Sequence, residues 1–598
     1  MKKIICCLIT VALLALNGCE ESAFLKEEPR DNIYSENLLV DHQGFQSMIT
    51  SLQGLMRKEY SRHPSIPIAL NGVFGGGADN TWGNNIGTTG DRFNFMLQPL
   101  NIRRTDNDLF KDIFEWLYQI VNTSNMVISR AGNSSVHWGG TTDSEAEANR
   151  NSIVAQARFF RAWAYRHLTY AYGAVPLSTE EITGENYRTD WERTPVSEIR
   201  ETMAADFQFA IDHLPLRAVN NNYLSAAVAR HYLGEIYLAE GNPAKTIEAL
   251  KPLVESSEYV LMTTSFGTSP ATPACPFIDV FKSPSYKDGN REVLYYFTNA
   301  EPLEATAGVA PQDGWMKSTY KSYYSNDGIC KLSNLGAPEY TSGKLTYNQV
   351  FWLNNGGKGT ARLSPSPGAL RLYNYKGMGE QDIRVKEPAM LWTIWEKNAE
   401  GQIQPFLYND KTPIDSTITA LMLDITKTQI ANYKWPSVRK WDYTQKVESS
   451  GDIDANYNDL PYLRIADTYL LYAEAQFKTG NNAEAIKWIN TIRNRAGVVE
   501  VAESDLAAGG LDLILDERSR ELLCEEERRH TLIRVSQENG GDERAVDNYF
   551  KRRTRQLNQV LGISGRGMDT PDLPVLLPIP NLIIESNFGK PMAQNPGY

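Results

Sequence analysis

Two stretches of this chain, 461–496 and 227–250, carry one pattern. In PYLRIADTYLLYAEAQFKTGNNAEAIKWINTIRNRA the apolar residues Leu463, Ala466, Leu470, Ala473 and Phe477 recur at steps of three and four, which sets them along one face of a helix. Gly480 ends that helix, because glycine takes the left-handed C-cap conformation cheaply. Asn482 is placed to cap the next helix, whose apolar face is Ala485, Ile489, Ile492 and Ala496. A loop this short forces the two helices to pack antiparallel as an αα-hairpin.

The stretch AVARHYLGEIYLAEGNPAKTIEAL repeats the device. With Gly241 aligned on Gly480, Gly234 meets Ala473, Ile247 meets Ile486 and Leu250 meets Ile489. A small residue one helix turn or two before the loop lets the partner helix approach closely. These offsets resemble tetratricopeptide repeats. The expected fold is therefore mainly α, built of tetratricopeptide-like helical hairpins.

Four more helices read in the same way. One begins after Asp41, with Phe45, Met48, Ile49, Leu52 and Met56 on its face. The others cover about 109–129, 152–170 and the residues after Pro195. Between the first two lies NGVFGGGADNTWGNN, whose glycines predict a loop that brings backbone close to a ligand. From about 265 to 453 the helical period fails, and short strand-like runs such as Val293–Phe297 appear. A long irregular stretch in a compact protein points to function or to a packed insertion. A final helix is expected over about 511–534, with Glu517, Glu521, Glu525 and Arg529 in i,i+4 register.

The beginning of the chain has another purpose. Lys2 and Lys3 precede an apolar run, Ile4 to Leu16, too short to span a bilayer, which marks a signal peptide over 1–18. Leu16-Asn17-Gly18-Cys19 looks like a bacterial lipobox, so Cys19 is the expected lipidation site. Several acyl chains would hold the protein firmly on a membrane. Residues 19–40 then form a tether, 41–264 an N-terminal helical part, 265–454 an irregular aromatic-rich segment and 455–598 a C-terminal helical part of the same domain. Of the remaining cysteines, Cys275 and Cys330 are left open as a pair or as free thiols, and Cys524 reads as buried. A net charge of -12 argues against nucleic acid as a partner.

Catalytic motifs are absent: there is no HExxH, no GxSxG and no complete phosphate loop. No cofactor is implied. Glu525-Glu526-Glu527 could suggest paired carboxylates, but neighbouring helical residues point apart, and a solvated or salt-bridged face is the favoured reading. Asp452, Asp454 and Asn456 alternate as calcium ligands do. Tyr457 stands where such a loop needs glycine, however, and Leu463 where it needs a bidentate glutamate, so a polar loop is the better account and no metal is expected. What remains is loop-borne aromatic and amide chemistry. An aromatic face packs on the C–H face of a pyranose while Asn, Asp and Arg bond its hydroxyls. Trp82 lies among Asp79, Asn84, Asn85 and Arg92, and Trp315 is followed by Tyr320 and Tyr323. Trp116, Trp163 and Trp488, on helical patterns, are assigned to the core.

The order of motifs resembles the SusD/RagB family of Bacteroidetes surface lipoproteins almost end to end. The lipobox is followed by FLKEEPRDNIYSEN, then by Trp116–Ile120 with Asn125. AQARFFRAWAYRHLTYAYGAVPL matches the family's long helix and its exit, and DTYLLYAEAQFKTGNNAEAIKWINTIRNRAG is the most recognisable block. LPIPNLIIESN and the terminal Gln594–Tyr598 complete the order. Glu526, Arg529 and Thr531 depart from the family's usual Gly, Trp and Asp, which leaves the packing of that helix open. The resemblance implies a non-catalytic protein on the outer face of the outer membrane. It would bind a glycan and close as a lid on a SusC-like TonB-dependent transporter. The alternative is a lipidated helical-repeat scaffold for proteins or peptides. The family's sugar site uses loops in the regions of Trp82 and Trp315.

Overall fold

The structure, a computed structural model, describes residues 38–63, 66–83, 104–299, 315–321, 356–357, 359, 363–379, 381–391, 395–397, 403–405, 436–442, 458–538, 548–559 and 575–598. The chain enters through α1 (His42–Arg57), which the Asp41 carboxylate caps by accepting from Gly44 N at 2.8 Å. Phe45, Ile49, Leu52 and Met56 are buried, as their spacing predicts. Two short strands follow, β1 (Arg62–His63) and β2 (Ile66–Ala69). Next come the single-turn helix α2 (Asn71–Gly75) and the strand β3 (Thr81–Gly83). The glycine run thus holds a helical turn where a loop was expected.

The helical layer is α3 (Asp108–Arg130), α4 (Asp143–Tyr172), α5 (Val196–His213), α6 (Ala226–Ala239) and α7 (Pro243–Val254), each packed on the next in sequence except across short loops. α4 starts nine residues before the expected position, because Thr142 caps it by accepting from Glu145 N at 3.2 Å. The polar turns it gains there bury nothing, so the apolar period could not show them. Gly173, at φ +74°, ends it.

Within the α6–α7 hairpin, Gly241 turns at φ +70°. A Cβ on Gly234 would sit 2.7 Å from the side chain of the buried Leu250. Close approach is thus the reason for the glycine, as the aligned repeats imply. Gly234→Ala is expected to cost about 1–3 kcal/mol through overpacking. Combined with Leu250→Ala it should cost clearly less than the two single changes together. Urea unfolding of the four proteins measures this, and strict additivity would show that the two residues do not compete for space.

The middle of the chain supplies β4 (Val293–Phe297), α8 (Trp315–Tyr320), β5 (Leu363–Pro365) and α9 (Pro367–Leu372). Then β6 (Leu460–Arg464) leads directly into α10 (Ile465–Lys478) and α11 (Asn482–Ala496). β4 pairs antiparallel with β6, and β3 with β5, Trp82 opposite Ser364. α7 packs against α10, so the two recognised hairpins stack directly on each other. Gly480 has φ +80°. The residue before α11 is Asn481 rather than Asn482, and its amide bonds Gln476 instead of capping. Trp116, Trp163 and Trp488 are buried in the main core. Cys275 and Cys524 are buried free thiols, whereas Cys330 lies outside the described residues.

The expected helix over 511–534 is two helices, α12 (Glu503–Glu521) and α13 (Arg528–Glu538). Cys524, at φ +58°, breaks them apart. The break aims three consecutive glutamates in three directions. Glu525 meets Arg464 at 2.7 Å and Glu526 meets Arg518 at 2.8 Å, while Glu527 pairs with Arg166. A continuous helix would send at least one of them to solvent. The departures noted at this helix pack onto one another: Thr531 donates to Glu526 at 2.5 Å, and Arg529 donates to Val575 O at 2.6 Å. Short helices α14 (Tyr549–Gln559) and α15 (Asn581–Ser586) follow. The tail then returns to α4, where Asn595 donates to Tyr172 O at 2.9 Å.

Candidate functional site

The loop-borne aromatics are carried on a rigid footing. α2 and the glycines after it lie hard against the protein. A Cβ on Gly75 would be 2.9 Å from the Tyr320 hydroxyl and 3.2 Å from Glu526 O. These glycines therefore admit a neighbouring chain segment, where the sequence suggested a ligand. Thr81 closes the turn by donating to Gly75 O at 2.7 Å. Ser366 donates from Oγ to Asp79 O and from N to Asn80 O, both at 2.8 Å, fixing the start of β3 on β5.

Asp79 corrects the sequence expectation. Its carboxylate is fully buried and accepts from Arg528 Nε and Nη2, both at 2.7 Å, with Arg553 beyond at 3.3 Å. Burial pushes its pKa upward, and the two guanidiniums more than offset that, holding it below the usual carboxylate range. Fully buried and held by two arginines, this carboxylate is not exposed to a sugar hydroxyl. Tyr320 is corrected likewise: it is buried, and its hydroxyl donates to Asn71 Oδ1 at 3.0 Å. Asn71 in turn donates to Glu59 at 3.2 Å.

α8 is anchored at a second point, where Ala69 N donates to Thr319 Oγ1 at 2.8 Å. Trp82 thus sits on a strand and Trp315 at the start of a helix, not in free loops. Strand and helix are both rooted at α2. The structure brings the bases of the two aromatic elements together. Asn84, Asn85, Arg92 and Tyr323 lie outside the described residues, as do Asp452, Asp454, Asn456 and Cys19.

Sequence reasoning missed the ionic centre beneath this footing. Glu517 and Glu521 lie one turn apart on α12, both buried. Glu517 accepts from Arg384 at 2.8 Å, Arg520 at 2.7 Å and Arg493 at 2.6 Å. Glu521 accepts from Arg464 at 3.0 Å and from Arg495, and its backbone carbonyl from Lys440 at 2.8 Å. The triple glutamate belongs to the same system, so the salt-bridged reading of those carboxylates holds, though the pairs are buried rather than solvated. Their arginines come from segments scattered along the sequence, and no local spacing reveals them.

A second concavity, of about 340 Å³, lies along α3. Phe114, Tyr118, Trp191, Ile583 and Met592 line it, Tyr187 stands at its rim 67% exposed, and the Arg188 guanidinium lies 4.8 Å above the Trp191 ring.

Helical hairpins stacked on a buried ionic centre, with the Trp82 strand and the Trp315 helix anchored at α2, define a helical-repeat scaffold. Residues 295–598 match the model of the SusD family, and residues 24–238 a model described as starch-binding associating with outer membrane. The chain belongs to the SusD family. It is similar to SusD-like protein P2 of Formosa agariphila, 23% identical over 98% of each chain. SusD-like protein P25 of the same organism is 22% identical, over 86% of this chain and 87% of that one.

Among solved structures, a SusD homolog from Bacteroides thetaiotaomicron superposes with a TM-score of 0.66 at 17% identity, over 94% of this chain and 98% of the other. A laminarin binding SusD-like protein gives 0.61 at 18%, over 93% and 99%. Surface glycan-binding protein A from Bacteroides uniformis gives 0.60 at 18%, over 92% and 99%. At such identities the likeness is one of fold. Among the described residues no helix is long and apolar enough to cross a membrane.

Proposed function

We propose that this chain is a cell-surface lipoprotein, anchored at Cys19. It binds an oligosaccharide or polysaccharide and delivers it to a SusC-like TonB-dependent transporter of the outer membrane. The observation that carries the reading is the common rooting of the Trp82 strand and the Trp315 helix on α2, in a family whose solved members include a laminarin binder and surface glycan-binding proteins. Trp82 and Trp315 supply the stacking faces, and Asn84, Asn85, Arg92 and Tyr323 the polar contacts. Asp79 and Tyr320 hold the frame and do not touch sugar.

Affinity electrophoresis of residues 20–598 against a polysaccharide panel tests this. Retardation by one glycan class is expected, weakened at least about tenfold, or about 1.4 kcal/mol, by Trp82→Ala or Trp315→Ala. Retardation unchanged in both variants would shift the site to the groove of Tyr187 and Trp191. Retardation by nothing would favour the scaffold for proteins or peptides.

A further inference from the structure

At the middle of the core, three segments far apart in sequence bring imidazole and carboxylate groups together. His167 comes from the last two turns of α4, Glu527 and His530 from the turn that opens α13, and Glu59 from the turn after α1. His167 Nε2 lies 3.5 Å from Glu527 Oε1 and 4.0 Å from Glu59 Oε2, and His530 Nδ1 lies 3.0 Å from Glu527 Oε2. One ligand atom from each of His167, Glu527 and His530 falls within 4.8 Å of the others. Tetrahedral ligands bonded to one ion at about 2.0–2.2 Å stand about 3.3–3.6 Å apart, so the Glu527 contacts are near that spacing and wider gaps must contract around an ion.

Two further observations point to an occupant. Neither ring nitrogen of His167 has a hydrogen-bond partner, although the side chain is fully buried. A neutral imidazole always carries one donor and one acceptor, and leaving both unmet in a dry site is costly. Aromatic rings enclose the imidazoles: the Phe74 ring lies 4.8 Å from His167 and 4.9 Å from His530, and the Trp163 ring 4.2 Å from His167.

Carboxylates gather here as well. One guanidinium, Arg166, faces two of them. It is gripped by both oxygens of Glu235, at 2.9 and 3.0 Å, and also reaches Glu527. Glu59 receives Tyr462 at 2.7 Å and Asn71, both neutral donors.

We propose that His167, His530, Glu527 and Glu59 form a buried site for a divalent first-row transition ion, zinc foremost. Two imidazole nitrogens and two carboxylate oxygens are a donor set that suits zinc. The site reverses the expectation of no metal, which rested on ligand spacing in sequence and could not register residues this far apart. All four donors come from the protein, so the role is structural: the ion ties α1, α4 and α13 to one point. Arg166, on the Glu235 side, and the Tyr462 hydroxyl orient the two glutamates from outside.

The test is metal content. The full chain, produced in zinc-supplemented medium and desalted, should carry about one equivalent of zinc per molecule by mass spectrometry. Production with cobalt should give visible d–d absorption bands of a low-symmetry nitrogen–oxygen site. His167→Gln and His530→Gln should each abolish both signals. Should these variants misfold, X-ray absorption at the zinc edge of the unaltered protein still decides, with two imidazoles expected in the first shell. Substoichiometric zinc and featureless cobalt protein would overturn the site and leave a proton shared between Glu59 and Glu527. Zinc bound equally by both variants would place the ion elsewhere and overturn it as well.

Discussion

Asp79→Ala is expected to lower folding stability by about 3–5 kcal/mol, because it leaves the Arg528 guanidinium buried without its partner. Arg528 is fully buried and spends two nitrogens on Asp79 at 2.7 Å; its remaining carboxylate contact is Glu526 at 3.4 Å. Arg553 suffers less, since Asp516 holds it at 2.6 Å. The double change Asp79→Leu with Arg528→Met should recover much of the loss, as a buried pair replaced by apolar side chains of similar size is often neutral. Urea unfolding of the three proteins reads the result. A single variant as stable as the parent would mean that Glu526 closes on Arg528. Retardation on a polysaccharide gel should also fail in the single variant, since Trp82 follows on the strand that Asp79 pins.

Acid is expected to release the ionic centre in a defined window. Burial pushes the Glu517 carboxyl upward, and Arg384, Arg520 and Arg493 outweigh it, pulling it down to about 2 from an ordinary 4.5. Glu521 and Glu474 move the same way, under Arg495, Arg464 and Arg384 in the first case and Arg534 in the second. A carboxylate held below its unfolded value stabilises the fold above that value and stops doing so as pH falls toward the folded one. Glu517 therefore contributes fully above about pH 4.5 and loses roughly 3 kcal/mol between there and about pH 2. Stability measured by denaturant at pH 7, 4.5, 3 and 2 should fall steeply over the last two steps. In Glu517→Gln it should start lower and fall less. An identical slope in the two proteins would remove Glu517 from the account.

The hairpins were readable because their information is local. Gly234 is demanded by Leu250 sixteen residues on, Gly241 and Gly480 by the positive φ of their turns, and the apolar stripes repeat at a helical period. The family order was readable for the same reason. The footing of the site was not. An aspartate among glycines and asparagines looks alike whether it meets sugar or arginine, and the arginine that decides for Asp79 lies 449 residues away. The break at Cys524 was hidden because acidic residues at i,i+4 fit a continuous helix; only the scattered positions of Arg464, Arg518 and Arg166 require the turn. His167 and His530 escaped notice because their relation exists only in space.

The long reach of these ion pairs also governs when the fold can form. Arg166 finds Glu527 361 residues later, and Tyr172 waits for Asn595, 423 residues later, to satisfy its carbonyl. Synthesis runs from the N-terminus, so α4 can pair Arg161 with Asp206 and Arg166 with Glu235 early, but Glu527 and Asn595 arrive only at the end. What the first half cannot supply is the cap over the Tyr172 carbonyl and the second carboxylate on Arg166. The last contacts of the core therefore form only when the final helices and tail arrive.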